Sequence, residues 1–130
     1  MEFYLKENGM RVDLNYGELS ISGNEDDGFR PFQLMVASIA GCSGSVFRKI
    51  LKKQRMEIED LTIHADVVRN PEEANRIEEI ALVFTVKGYN LNPQKLDKNL
   101  ELSRKNCSMV RSVEDSINIT ERIESIELSR

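Results

Sequence analysis

Apolar and polar residues alternate in FYLKE (3–7), MRVDLNY (10–16) and ELSIS (18–22), the two-residue period of half-buried strands. Gly9 and the run Asn15-Tyr16-Gly17 separate the three as turns, which predicts a small antiparallel meander. GNEDDG (23–28) follows as a loop. The period then lengthens. Pro31 suits the first position of a helix, and the pattern stays helical from Gln33 to Lys53. Residues 34–47 are nearly all apolar or small, which predicts burial on most sides, and the basic end RKILKKQR (48–55) suits a helix carboxyl terminus. Leu61, Ile63, Ala65 and Val67 share one face of a strand within 57–70. Ile80, Leu82, Phe84 and Val86 do the same within 76–90, and the turn residues Asn70-Pro71-Glu72-Glu73 between them predict a hairpin. Asn92 reads as the cap of a helix over 92–106, with Leu96, Leu100 and Leu102 near helical spacing. A short helix opened by a serine cap is predicted within 108–116, and a last strand over 118–128. Runs of strands and helices in this order indicate an α+β fold.

Length and composition narrow the class. A chain of 130 residues with no internal repeat and no dividing linker predicts one domain, 1–130, with a real core. With 40% hydrophobic and 31% charged residues it should fold rather than stay disordered. A net charge of −4 argues against a nucleic-acid partner, which needs a clustered positive face. No apolar run reaches the roughly 18 residues of a membrane span, so no membrane association is expected. The amino end, MEFYLKENGMRVD, lacks the basic start and apolar stretch of a signal peptide. The expected location is cytoplasmic, where thiols stay reduced and a cysteine pair is catalytic, redox-sensing or simply buried.

The two cysteines carry the candidate chemistry. Cys42 lies in IAGCSGSVF (39–47), where Gly41 and Gly44 each weaken a helix by about 0.5–1 kcal/mol relative to alanine. Such a patch is a packing notch or a space cleared around a thiol. Cys107, in KNCSMV, stands at a helix junction, where exposed N–H groups favour thiolate over thiol. Taken alone, Cys42 reads better as a small apolar core residue, and Cys107 reads equally well as one.

Together the surrounding motifs are more specific. PFQLMVASIAGCSGSVFRKIL resembles the central-helix motif of the OsmC/Ohr superfamily, roughly P-x-E-L-L-x-A-A-x-x-G-C. NCSMVRSV resembles the second cysteine motif of that family, and INIT resembles the tail of its OsmC-like, YhfA-type branch. The resemblance covers nearly the whole chain. It implies antiparallel sheets around a long central helix, an intertwined homodimer, and two sites at the dimer interface, with Gly41 and Gly44 permitting close helix packing. In peroxidase members the cysteine matching Cys42 attacks a hydroperoxide and then forms a disulfide with the one matching Cys107, which a dithiol reductant reopens. The family's arginine is matched best by Arg11, with Arg30 the competitor. Its glutamate, one or two residues after the motif proline, is absent. Phe32 and Gln33 stand there, and Gln33 is an uncharged orienting group. Asp26 and Asp27 are alternative sources of a carboxylate.

The rest of the chain adds little chemistry. His64 alternates out of phase with the apolar positions and reads as surface. Cys42, Cys107 and His64 lack metal-ligand spacing, and no phosphate loop or dinucleotide fingerprint occurs, so neither metal nor cofactor is expected. Met35 and Met109 read as core. The resulting expectation is a thiol-dependent peroxidase for organic hydroperoxides, with Cys42 as nucleophile, Cys107 as resolving thiol, Arg11 as thiolate stabiliser and Gln33 as orienting group. The alternative, favoured by the missing glutamate, is a non-peroxidatic protein that holds a small apolar or thiol ligand on the same fold.

Overall fold

Three short strands open the chain: β1 (Phe3–Lys6), β2 (Gly9–Asp13) and β3 (Glu18–Ile21). They pair antiparallel in the order β1-β2-β3, with Phe3 opposite Val12 and Met10 opposite Ile21. The turn at 14–17 closes on the Leu14 N–H donating to Gly17 O at 3.0 Å. The computed structural model describes residues 1–130, and these fall into two compact units, Met1–Ala37 and Ser38–Arg130. The meander, the 23–28 loop and the first turns of the long helix α1 (Pro31–Lys53) make up the first unit.

The second unit holds the rest of α1, then β4 (Asp60–Asn70), β5 (Arg76–Gly88), α2 (Pro93–Asn106), α3 (Ser108–Val113) and β6 (Asn118–Glu127). β4 and β5 form the expected antiparallel hairpin, closed by a 3₁₀ turn over Pro71–Glu73. β6 differs from expectation by running parallel to β5, Ile80 opposite Ile119 and Phe84 opposite Ile123, so this sheet is mixed. A parallel return needs a crossover of a dozen or more residues, and α2 and α3 supply it.

β5 is the centre of this sheet, and its inward residues Ile80, Leu82, Phe84 and Val86 are buried. Across from them α1 presents Ile39, Ser43, Phe47 and Leu51, spaced one turn apart. Phe47 meets Phe84 edge to face, ring centres 5.4 Å apart. Burying each such large side chain stabilises the unit by about 1.5–3 kcal/mol. α1 is less enclosed than its composition predicts. Its inward stripe is buried, but Met35, Ala37, Ser38, Gly41 and Ser45 are exposed. An 18-residue window within α1 has mean hydropathy 1.3, a length and composition that the core helix of a soluble protein also reaches. Serines and Gln33 interrupt it, so no continuous apolar run reaches span length.

α2 starts as predicted. Asn92 Oδ1 accepts the Lys95 N–H at 3.2 Å, and Pro93 occupies the first turn. Its inward face is Leu96, Asn99, Leu100 and Ser103, whereas Leu102 is 44% exposed. Asn99 and Gln54 exchange reciprocal amide hydrogen bonds of 2.9 Å, tying α2 to the end of α1.

Candidate active site

Cys42 sits on α1 one position from the buried stripe, which leaves its thiol half-buried. Cys107 is wholly buried between α2 and α3. It serves as the N-cap of α3 through its backbone alone, with no side-chain cap bond, so Ser108 is the first helical residue rather than the cap predicted for it.

This junction faces Cys42. The Met109 backbone N–H bonds to the Cys42 sulfur and lowers its pKa from the ordinary value of 9.0. Burial opposes that effect. The Cys107 thiol, the Ser108 hydroxyl and the Ser108 N–H add to the lowering. Ser108 Oγ lies 3.8 Å from Cys42 Sγ. The same meeting acts oppositely on Cys107. Burial pushes its pKa above 9.0, the Val110 N–H works against this, and the charge and hydrogen bond of Cys42 reinforce it. The arrangement therefore favours a thiolate at the half-exposed sulfur and a thiol at the buried one.

Both cysteines are reduced and belong to the Ser38–Arg130 unit. Arg11 and Gln33 belong to the Met1–Ala37 unit. There Arg11 lies 3.1 Å from the Asp13 carboxylate and 3.6 Å from Glu18, with its guanidinium 4.6 Å above the Tyr4 ring. Gln33 is exposed in the first turn of α1. Arg30 stacks on Phe32 at 4.7 Å, and the Asp26 and Asp27 backbones turn on Asn24. His64 is exposed and paired with Asp66 at 3.1 Å, as its phase predicts. Met35 and Met109, read as core, are instead 43% and 37% exposed. No group of three or more His, Cys, Asp or Glu side chains is placed to hold a metal.

The glycines act differently from one another. A Cβ on Gly44 would lie 2.7 Å from Ile63 Cδ1, so this glycine admits a β4 side chain rather than a second helix. A Cβ on Gly41 would meet nothing within 4 Å in this chain.

Sequence reasoning missed Glu121. It lies on β6 in phase with Ile119 and Ile123, and a carboxylate at an inward phase was the readable signal. Glu121 Oε1 accepts the Ser43 hydroxyl at 3.0 Å, while its Oε2 is buried without a partner. Burial raises its pKa above the ordinary 4.5, against the Ser43 hydroxyl and the Arg104 charge. A cavity of about 790 Å³ is bordered by Arg48, Lys49, Lys52 and Arg55 and is lined by neither cysteine.

A family model described as OsmC-like protein matches residues 23–122, more than half of the sequence. The chain belongs to the OsmC-like family. It is 27% identical over 111 residues to Protein YhfA of Escherichia coli K12, covering 84% of this chain and 83% of that protein. A hypothetical protein from Aquifex aeolicus VF5 has the same fold at TM-score 0.87 and 26% identity, with 98% of this chain and 96% of that one covered. An organic hydroperoxide resistance protein OsmC from Legionella pneumophila shares the OsmC fold at TM-score 0.68 and 18% identity, over 98% and 94% of the two chains.

Proposed function

We propose that this protein is a cysteine-based peroxidase that reduces organic hydroperoxides in the cytoplasm, as a homodimer, through Cys42 and Cys107. One observation carries the reading: the half-exposed sulfur is biased toward thiolate by the junction that holds the buried, protonated one. The thiolate is the nucleophile, and a neighbouring thiol is what a sulfenic acid needs before further oxidation traps it. The Cys42 thiolate attacks the terminal oxygen of the hydroperoxide. The O–O bond breaks, an S–O bond forms, and the alkoxide leaves as alcohol after taking a proton. The Cys107 sulfur then displaces hydroxide from the sulfenic acid, its proton departing in water, and a disulfide forms. An external dithiol returns two electrons and two protons.

Family membership and the naming of the Legionella protein as a hydroperoxide resistance protein support this class of substrate. Arg11 is assigned the stabilising cation and Gln33 the orienting amide, on their sequence positions in the family pattern alone. The homodimer is supported by the exposed side of α1, where Met35 is 43% exposed and Gly41 has open space above it. A second reading, a non-peroxidatic binding protein, is favoured by Gln33, which supplies no charge where family members carry glutamate.

Mixing the reduced protein with cumene hydroperoxide and counting free thiols separates the two. Loss of two thiols per chain, abolished in Cys42→Ser, is the expected result; thiols that persist under a large excess of peroxide would leave the binding reading. Cys107→Ser should accumulate irreversibly oxidised Cys42, visible as added oxygen mass, and a Cys107→Ser protein that cycles repeatedly without damage would remove Cys107 from the resolving role.

A further inference from the structure

Three buried polar side chains stand where apolar ones would pack. Ser43 and Ser103 are fully buried, and Glu121 turns an oxygen into the same interior. Such groups are costly unless bonded, and when bonded they fix one arrangement of the elements that carry them.

Hydrogen bonds at these residues and their neighbours link α1, β6 and α2 pairwise, a triangle of elements. The Ser43 hydroxyl on α1 donates to Glu121 on β6 at 3.0 Å. The Ser103 hydroxyl on α2 donates to the Ser43 carbonyl at 3.2 Å. The third side is the Arg104 guanidinium, which donates to the Ile119 carbonyl, two residues before Glu121 on β6. The corners are not arbitrary. Ser43 directly follows Cys42, and Ser103 is four residues before Cys107, whose N–H reaches the Arg104 carbonyl at 3.4 Å. Sliding one helix by a single residue moves it about 1.5 Å and turns it about 100°, which would break the triangle and part the sulfurs together.

We propose that Ser43, Ser103 and Glu121 are positioning residues that hold Cys42 in register with Cys107 and so set how readily the two close into a disulfide. The inference deepens the thiol-pair reading and rests on it. Misplacement of reacting groups by about 1 Å can cost a hundredfold, so loss of one corner should weaken closure by about tenfold or more.

The test does not need a hydroperoxide. The reduced protein is equilibrated with glutathione buffers, in which protein dithiol and glutathione disulfide give protein disulfide and two glutathione thiols. Ser103→Ala and Glu121→Ala should lower the equilibrium constant tenfold or more. Glu121→Gln should stay within twofold, because its amide oxygen still accepts the Ser43 hydroxyl. Val67→Ala, a packing change outside the triangle, should leave the constant unchanged and so exposes any effect of general destabilisation. Ser103→Ala carries the test alone if Glu121→Ala fails to fold. A wild-type disulfide with every folded variant within twofold overturns the clamp and leaves the peroxidase reading intact. A normal clamp effect in a protein inert to cumene hydroperoxide overturns the peroxidase reading alone. A wild type that forms no disulfide overturns both.

Discussion

Cys42 and Glu121 are both acids moved from their ordinary values, in opposite directions, and each shift has a readable consequence. The Cys42 thiol titrates below 9.0 because the Met109 N–H, and after it the Cys107 and Ser108 groups, bond its charged form. Cys107→Ala removes one of those donors. It should move the alkylation profile of Cys42 upward in pH toward 9.0, read by the rate of reaction with iodoacetamide between pH 5 and 10; an unmoved profile would dissociate the two sulfurs. Glu121 is raised above 4.5, chiefly by burial. In the unfolded chain it loses its proton at the ordinary value while the folded chain keeps it. Its contribution to stability is therefore complete below 4.5 and is lost as pH rises through the folded value. The groups around it are Ser43 on α1, Arg104, Asp97 and Glu101 on α2, and its strand neighbour Arg122. Glu121→Gln removes this titration and leaves the others. Urea midpoints measured from pH 4 to 8 should fall less steeply in Glu121→Gln than in wild type, and parallel curves would refute a raised carboxyl.

The elements were largely legible because their patterns were long. β5 alternates through Ile80, Leu82, Phe84 and Val86 without a break, and α2 opens on Asn92 followed by proline, so both stand where their residues placed them. Asn92→Ala should lower stability by about 1 kcal/mol, measured as a shift in urea midpoint with an unchanged slope; no shift would mean that water replaces the cap without loss. What stayed hidden was set by partners distant in sequence. The parallel pairing of β6 depends on where α2 and α3 deliver the chain, which no local pattern encodes. Leu102 matches helical spacing only approximately; the i, i+3, i+4, i+7 stripe from Leu96 through Asn99 and Leu100 puts Ser103 inward instead, where its hydroxyl bonds the Ser43 carbonyl. The candidate site divides in the same way. The two cysteines were legible from their motifs, whereas the Met109 N–H that acts most strongly on Cys42 is backbone, which every residue but proline possesses.

Several large apolar side chains stand in water. Phe3, Leu5, Phe29 and Met35 are between 43% and 86% exposed, and α1 shows a side of small residues around Gly41. Scattered exposed apolar residues need no cause, but a helix side kept free of bulk is suited to a close neighbour. Gly41 tests this because a side chain there meets nothing within this chain. Gly41→Ala should stabilise an isolated chain by about 0.5–1 kcal/mol, since alanine is the better helix former. Gly41→Leu puts a bulky side chain on that open side, where it would force apart the two helices of the proposed homodimer. Reduced wild type should therefore sediment at twice the chain mass, and Gly41→Leu at the mass of a single chain with its circular dichroism retained. The Cys42–Cys107 disulfide should still form in that monomer, because both sulfurs belong to one unit. Wild type that sediments as a single chain at high micromolar concentration would instead assign the open side of α1 to solvent or to a different partner.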